Sequence, residues 1–445
     1  MTQDLAQALL DAARKAGADA ADALVIEGTA LSIDVREGRL EHAERAEGLD
    51  LGLRVLIGRR QACVSSSDSK PETLAMMAER AVAMAREAPE DPYAGLADPD
   101  QLSARRDGEG LELFDPSAEP EPAQLEDDAR RAEAAARAVP GITQIDQSGA
   151  SYSRRTIHLA ATNGFAGGYQ RTTRNTSCVA ITGEGTGMER DWSSESRIFQ
   201  ADLPSPEAIG TEAGQRAAAR KGSRKPPSGA FPVLYDERVA SSLIGHLTAA
   251  INGTAISRGA SWLRDALGQP VLPRGFTLTE DPLRRRIAGT RPFDAEGLAT
   301  ARRLWVEDGV LQGWVLDLAT ARKLGLASTA NAARGPSAPP SPSLSNLALS
   351  QGTASRADLI AGMGTGLLVT SLIGSTINPT TGDYSRGASG FWIENGEIAY
   401  PVNECTIAGN LRDMLMRMTA ANDARAHLST QVPSLLVEGL TIAGA

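Results

Sequence analysis

Four histidines, at positions 42, 158, 246 and 427, are the residues with which metal or acid-base chemistry would start. No two of them fall at the short spacings that set two imidazole nitrogens on one helix face. A catalytic zinc takes about three protein ligands and keeps one position open. Such a site would have to be assembled here from distant residues, mostly carboxylates. Cys63, Cys178 and Cys405 lie far apart and form no CxxC pair, which argues against a cysteine zinc cluster or a disulfide framework and for a reducing compartment, the cytoplasm. Ser67 to Lys70 satisfy the pattern SxxK, in which a lysine can deprotonate a serine. Two fixed positions in four arise by chance in a chain of 445 residues, and a helix N-cap with a surface turn accounts for them as well. No GxSxG elbow is present, since Gly387 and Gly390 flank Ala388 and Ser389 at the wrong spacing. Gly362, Gly364 and Gly366 lack the further glycine of a dinucleotide fingerprint, because Leu367 and Val369 stand in its place.

His246 stands out among these. A helix beginning at Asp236 carries Val239, Leu243, Leu247 and Ile251 as an apolar stripe, and His246 falls at its margin, four residues after Ser242. Most half-buried helical histidines are structural. Composition narrows the alternatives: 55 acidic against 45 basic side chains, a net charge of −10 and an aromatic share of 4% leave no global field for nucleic acid and few rings for stacking bases. The first twenty residues are interrupted by Asp4, Asp11, Arg14 and Lys15, which is wrong for a secretory signal, and no run approaches the ~20 apolar residues that span a bilayer. A soluble cytoplasmic protein is expected.

These residues must be positioned by a chain long enough for two or three domains at about 150 residues each. An α+β fold is predicted, with mixed helix-plus-meander modules over residues 1–100 and 113–222 and a large sheet-rich domain over 229–445. The first module reads as a helix with Leu5 and Leu9 on one face and Gly17 as its stop, strands near 23–27, 30–36, 51–57 and 60–65, and a helix over 70–86. A Pro- and Asp-rich linker over 87–100 follows. The second module has a helix from Pro122, strand-like runs over 142–153, 155–162, 168–182 and 185–194, and a helix over 205–220. In the third, 231–235 and 364–373 read as strands and Asn395-Gly396 as a hairpin turn. Pro and Ser crowd 335–345, which predicts an exposed, mobile connecting loop.

Three runs in the last domain carry a family resemblance: Gly364-Thr365-Gly366-Leu367-Leu368-Val369-Thr370, the stretch from Thr381 to Ile398, and Thr406-Ile407-Ala408-Gly409-Asn410-Leu411. Pro292 to Gly297 and Ala321 to Thr329 support them. Together they resemble the TldD/PmbA family, in its PmbA (TldE) branch. That resemblance implies a cytoplasmic peptide-processing system, labelled also a modulator of DNA gyrase, in which TldD and TldE form a heterodimeric zinc metalloprotease. The TldD branch carries HExxxH, two histidines that hold zinc and a glutamate that activates water, with a cysteine ligand nearer the C-terminus. Here the matching segment keeps His246 but has Ser241 for the first ligand and Ser242 for the glutamate. Serine hydroxyls ligate zinc poorly and are too weakly basic to generate hydroxide. Positions five apart also lie roughly 140° apart on an α-helix, so a bulge would be needed to converge them. Around 426–433 no cysteine occurs, and Cys405 comes too early.

The resemblance therefore implies a non-catalytic subunit with no catalytic residue and no metal or cofactor of its own, zinc being expected on a TldD-like partner. The substrate class is an unstructured peptide, gripped as an added strand. Gly364, Gly366, Gly382, Asp383, Tyr384, Ser385, Arg386 and Gly387 are expected to line the shared cleft, with Asp383 and Arg386 orienting peptide or partner and Tyr384 packing on it. The same Asp and Arg could instead satisfy each other in a tight turn. An autonomous metallopeptidase with a non-standard metal site and a gyrase or nucleic-acid modulator remain as alternatives, and self-association of the isolated chain is left open.

Overall fold

The computed structural model describes residues 1–444, the side chain of Ser375 excepted. Its first half is built on one sheet. β1 (Ala20–Arg36), β2 (Arg39–Ile57), β3 (Arg60–Ser66), β4 (Ile142–Ala161), β5 (Ala166–Thr182) and β6 (Glu189–Arg197) form an antiparallel sheet in the order β3-β2-β1-β4-β5-β6. The runs over 23–27 and 30–36 are one strand, as are 142–153 and 155–162, because Gly28 stays extended and lies opposite Arg155 without breaking the ladder. β1 pairs with β4 from Asp22↔Ala161 to Val35↔Ser148, so residues of both sequence modules share a sheet.

Strand alternation gives this sheet two different faces. Ala21, Ala23, Val25, Leu31, Ile33 and Val35 of β1 point to one side. There α1 (Thr2–Ala16) and α2 (Pro71–Glu87) bury Leu9, Leu74 and Val82 at one end, and α3 (Pro122–Arg137) buries Leu125 and Ala129 at the other. Beside α3, α4 (Pro206–Ala219) covers Cys178 and Ala180 of β5. Leu24 and Ile26 point the opposite way, toward Phe165 and Phe293. α3 and α4 approach closely at Gly210, where a Cβ would lie 2.0 Å from the carbonyl oxygen of Ala132. Gly210→Ala is expected to destabilise the protein by about 1–3 kcal/mol through overpacking, read as a lower denaturation midpoint; an unchanged midpoint would contradict this contact.

The second half is sheet-rich. β7 (Gly229–Tyr235), β14 (Gly366–Ile377), β15 (Asp383–Glu394), β16 (Glu397–Asn410) and β19 (Leu435–Ala443) run in the order β16-β15-β14-β7-β19, and Thr406 to Ala408 of β16 pair back on β19. This closes a five-stranded barrel, with β17 (Met418–Ala420) attached to β19. The β15–β16 turn has Asn395 and Gly396 both at positive φ, 53° and 77°, as a type I′ hairpin requires. A second sheet, β10-β9-β8-β13-β18, joins β8 (Leu278–Glu280), β9 (Arg303–Glu307), β10 (Val310–Leu311), β13 (Leu347–Leu349) and β18 (Thr430–Gln431). β11 (Ala332–Ala333) pairs with β12 (Ser341–Pro342). Helices α5 (Glu237–Ala250), α6 (Gly253–Ser257), α7 (Leu318–Leu324), α8 (Arg356–Met363) and α9 (Leu411–Met416) complete the fold. Helix makes up 25% and strand 38%, and parallel strand pairs are few, which places the chain in the α+β class.

Two segments expected to be loose connections are anchored. Arg322 of α7 donates to the carbonyl oxygens of Tyr93 (3.1 Å) and Leu96 (2.7 Å), fastening the stretch over 87–100 to the second half. The Pro- and Ser-rich loop is pinned by Arg334, whose fully buried guanidinium pairs with Asp22 of β1, and by Pro336 lying over Gly52. Exposure in it is confined to Gly335, Ser337–Pro339 and Ser341. A polar composition indicated solvent; specific ion pairing brought the loop onto the sheet instead. Among the described residues no helix is long and apolar enough to cross a membrane.

Candidate functional site

Helix α5 follows the buried end of strand β7, Val233 to Tyr235, at Asp236, whose carboxylate caps it by accepting from the amide of Arg238 at 3.2 Å. Ala240, Leu243, Ile244, Leu247 and Ala250 are its buried residues, and Val239 is half-buried beside them. His246 is half-buried at the edge of that face. Its ring meets Tyr384 of β15 edge-on at 5.8 Å between centroids, and its Nε2 is buried without a hydrogen-bond partner. The Tyr384 hydroxyl lies 3.4 Å from that of Tyr235, the last residue of β7. Burial pushes the His246 pKa down, and the charge of Arg386 pushes it further. Burial raises both tyrosines, that of Tyr235 most strongly. At neutral pH the group is a neutral imidazole beside two un-ionised phenols, with a guanidinium nearby.

These residues do not fit zinc. α5 is a continuous α-helix through Gly245, so Ser241 and His246 keep their separation of roughly 140° around the axis. The Ser242 hydroxyl donates to the Val239 carbonyl at 2.7 Å, back into its own helix. Arg386 brings a positive charge where a cation would need a negative one. Among the described residues no three His, Cys, Asp or Glu side chains are grouped to hold a metal. Near 426–433, His427 lies 3.3 Å from Glu195 of β6, and Arg425 reaches both Glu195 (3.1 Å) and Glu237 of α5 (2.9 Å). That segment ties the first half to α5.

The expected cleft residues are not brought together. Gly366 pairs with Ile393, whereas Asp383 pairs with Asn410 at the other end of β15, roughly 30 Å away along the strand. Gly364 follows α8 at φ 66°, and a Cβ on Gly366 would meet the Pro232 carbonyl at 2.4 Å, so both glycines answer to backbone geometry. Gly382 likewise has φ 82° in the turn before β15. Alternation then splits the rest, with Tyr384 and Arg386 toward α5 and Ser385 and Gly387 on the opposite side. Tyr384 is only 2% exposed and packs on His246, leaving no face for a peptide. Asp383 and Arg386 do not satisfy each other either: Asp383 accepts from Thr381 (2.6 Å) and Asn410 (3.2 Å), while Arg386 Nε donates to the Gly374 carbonyl at 2.7 Å.

Sequence reasoning missed the groups that hold this region against the first half. Asp191 of β6, 5% exposed, accepts from Arg220 Nε at 2.8 Å and Arg238 Nη1 at 3.0 Å. Arg220 also donates to Ser389 Oγ and Thr370 Oγ1 of the barrel, at 2.9 and 3.0 Å. A second triad, Arg54–Asp22–Arg334, joins the sheet to the loop after β11. Each sets one aspartate between two arginines, one of them contributed by the second half of the chain. No local spacing signals such partners.

Known proteins place this architecture. Residues 228–444 match the PmbA/TldA metallopeptidase C-terminal domain, 115–221 the central domain and 21–85 domain 1 of the same family. The metalloprotease PmbA of Escherichia coli O157:H7 is 36% identical over 96% of this chain and 92% of its own length. The chain belongs to the PmbA/TldD metallopeptidase family. The PmbA homologue of Haemophilus influenzae is also 36% identical, over 99% of this chain and 96% of that one. Among solved structures, a candidate modulator of DNA gyrase from Bacteroides thetaiotaomicron superposes with a TM-score of 0.91 at 28% identity, covering 99% of this chain and 98% of that one. TldE of Thermococcus kodakarensis has the same fold, with a TM-score of 0.85 at 20% identity over 99% and 100% of the two chains. The PmbA-branch resemblance of the sequence thus agrees with its full-length relatives.

Proposed function

We propose that this PmbA/TldD-family chain is the non-catalytic, TldE-type subunit of a cytoplasmic zinc metallopeptidase. It binds no metal itself, pairs with a zinc-bearing TldD-like chain and helps enclose an unstructured peptide. One observation carries this reading: at the place on α5 where the family's metal motif belongs, only His246 remains, beside Arg386, with serines at the other two positions. At positions 241 and 242 this helix supplies neither a second nitrogen ligand nor a water-activating carboxylate, and its one carboxylate, Glu237, is paired with Arg425. The three free cysteines, two of them buried, suit a reducing compartment.

Metal analysis of the purified chain is expected to find far less than one zinc per molecule and no cleavage of unstructured peptides. Mixing with a TldD-like subunit is expected to produce peptidase activity that a chelator abolishes. The name of the 36%-identical relative, a metalloprotease, favours the rival reading of an autonomous enzyme. Stoichiometric zinc in the isolated chain, with chelator-sensitive turnover, would establish that rival; full activity of the partner alone would remove the need for this subunit. A gyrase or nucleic-acid role would require salt-dependent DNA binding, which the net charge of −10 opposes.

A further inference from the structure

On the sheet face away from the helices, two arginines stand directly across from one another: Arg155 of β4 is the ladder partner of Arg171 of β5. Like charges so placed destabilise an antiparallel pair. Arg171 donates to the carbonyl oxygens of Ala288 and Thr290, its Nε is buried without a partner, and Arg291 on the same loop donates only to Ser343 and to the Leu344 carbonyl. Among the described residues no carboxylate forms a salt bridge with any of the three. Burial lowers the Arg171 pKa, and the like charges of Arg291 and Arg155 lower it further, so the three act on one another. Repulsion of this kind persists in a fold when something outside the chain relieves it.

Beside them a cavity of about 190 Å³ lies between the sheet and the second half of the chain. Leu24, Ile157, Leu159 and Phe293 wall it, and Tyr169 stands edge-on to Phe293 at 5.8 Å between ring centroids. Ile157 follows Arg155 by two positions and Tyr169 precedes Arg171 by two, so alternation sets the apolar wall and both arginines on one face. Arg291 itself lines the cavity, and with Ile157 and Tyr169 it is half-buried, which leaves the arginine side open to solvent. Asp294 is the one carboxylate among the lining residues; it is 1% exposed and held by the amides of Glu296, Leu298 and Ala332. Arg334 adds positive charge behind the wall, because it shares Asp22 with Arg54. We infer that this cavity binds a small carboxylate with a compact apolar body, the apolar group among Leu24, Leu159 and Phe293 and the carboxylate at Arg155, Arg171 and Arg291. An apolar cavity of ~150 Å³ holds benzene, so one phenyl or branched aliphatic group fits. Planar guanidinium groups match a carboxylate in geometry as well as charge. A free aromatic acid and the C-terminal residue of a peptide share this chemistry. The inference rests on the cavity and not on the metallopeptidase reading.

Calorimetric titration of the full chain decides it, with 3-phenylpropionate and the tripeptide Gly-Gly-Phe as probes and their carboxamides as neutral controls. At least one acid is expected to bind with a Kd below about 1 mM, and its carboxamide about tenfold or more weaker. Tighter binding of the tripeptide would assign the site to peptide C-termini, and tighter binding of the free acid to a small metabolite; the inferred chemistry stands in both cases. Arg155→Glu, at an exposed position, should weaken the acid about tenfold or more while leaving the carboxamide unchanged. Ile157→Trp, which fills the cavity from its apolar side, should abolish binding of both. Thermal melting of each variant checks that the fold is intact. No binding by either acid, equal binding of acid and carboxamide, or an affinity indifferent to both substitutions would each overturn the inference.

Discussion

Replacing Asp191 by alanine is expected to remove about 3–5 kcal/mol of folding stability at neutral pH, the range seen when one member of a buried ion cluster is deleted. Arg220 and Arg238, whose side chains are 6% and 9% exposed, would be left as buried cations without their shared anion. Arg238 would keep Asp236, but Arg220 would retain only the Ser389 and Thr370 hydroxyls. Ser389→Ala, which removes one neutral acceptor, should cost only about 1 kcal/mol. The pH dependence provides a second check. Burial pushes the Asp191 carboxyl up, but Arg220 and Arg238, with the Trp192 amide, outweigh burial and hold it below its usual value. A depressed folded pKa means that the stabilisation is complete above the unfolded carboxylate value, about 3.9, and is lost as pH falls through the lower folded value. The difference between wild type and Asp191→Ala should therefore persist from neutral pH down to about pH 4 and shrink below it. Chemical denaturation across pH measures this, and a loss under 1 kcal/mol at pH 7 would show that the cluster does not fasten the two halves.

Glu296→Gln should act in the opposite direction. Glu296 lies buried in the loop after Phe293, and its Oε2 accepts from the Leu318 amide at 2.9 Å. Burial first, and then the nearby Asp294 and Asp317 carboxylates, push it up to about 8; Asp294 is shifted in the same direction by burial. Folded protein thus keeps a proton on Glu296 at a pH where unfolded chain has released it. Stability from this group is complete below the unfolded pKa, about 4.3, and falls as pH rises through 8. Glutamine retains an oxygen for the Leu318 amide and cannot ionise. The variant is expected to match wild type near pH 4.5 and to exceed it by about 2–4 kcal/mol near pH 9. A variant less stable than wild type at pH 9 would show that the carboxylate is ionised and stabilising.

Local signals carried much of this fold. Pro122 opens α3, Gly17 closes α1 in the left-handed region at φ 93°, and Asn395-Gly396 turns the hairpin, each for a steric reason contained in two or three residues. The length of β1 and β4 was less legible. Gly28 reads locally as a break, yet pairing on both sides holds the strand extended through it. The degenerate metal motif was legible too, because a missing histidine or glutamate needs no coordinates to be noticed. Its surroundings were not: Tyr235 and Tyr384 stand 149 residues apart in sequence, on the two strands that flank β14, and meet only in the folded barrel.

What the amino-acid order by itself determined is the inventory of chemistry: serines at 241 and 242, one histidine at 246, no clustered cysteines, and the runs from Gly364 to Leu411 that mark the family. Only the tertiary structure decided how that inventory is distributed. It spread the glycine-rich positions along and across one hairpin, buried Tyr384, fastened the Pro- and Ser-rich loop through Arg334, and set Asp22 and Asp191 between arginines from both halves of the chain. The reason is range. Turns, caps and strand alternation arise from neighbours a few residues apart, whereas a buried charge must find its counter-charge wherever packing brings one within reach, and local sequence does not encode that meeting.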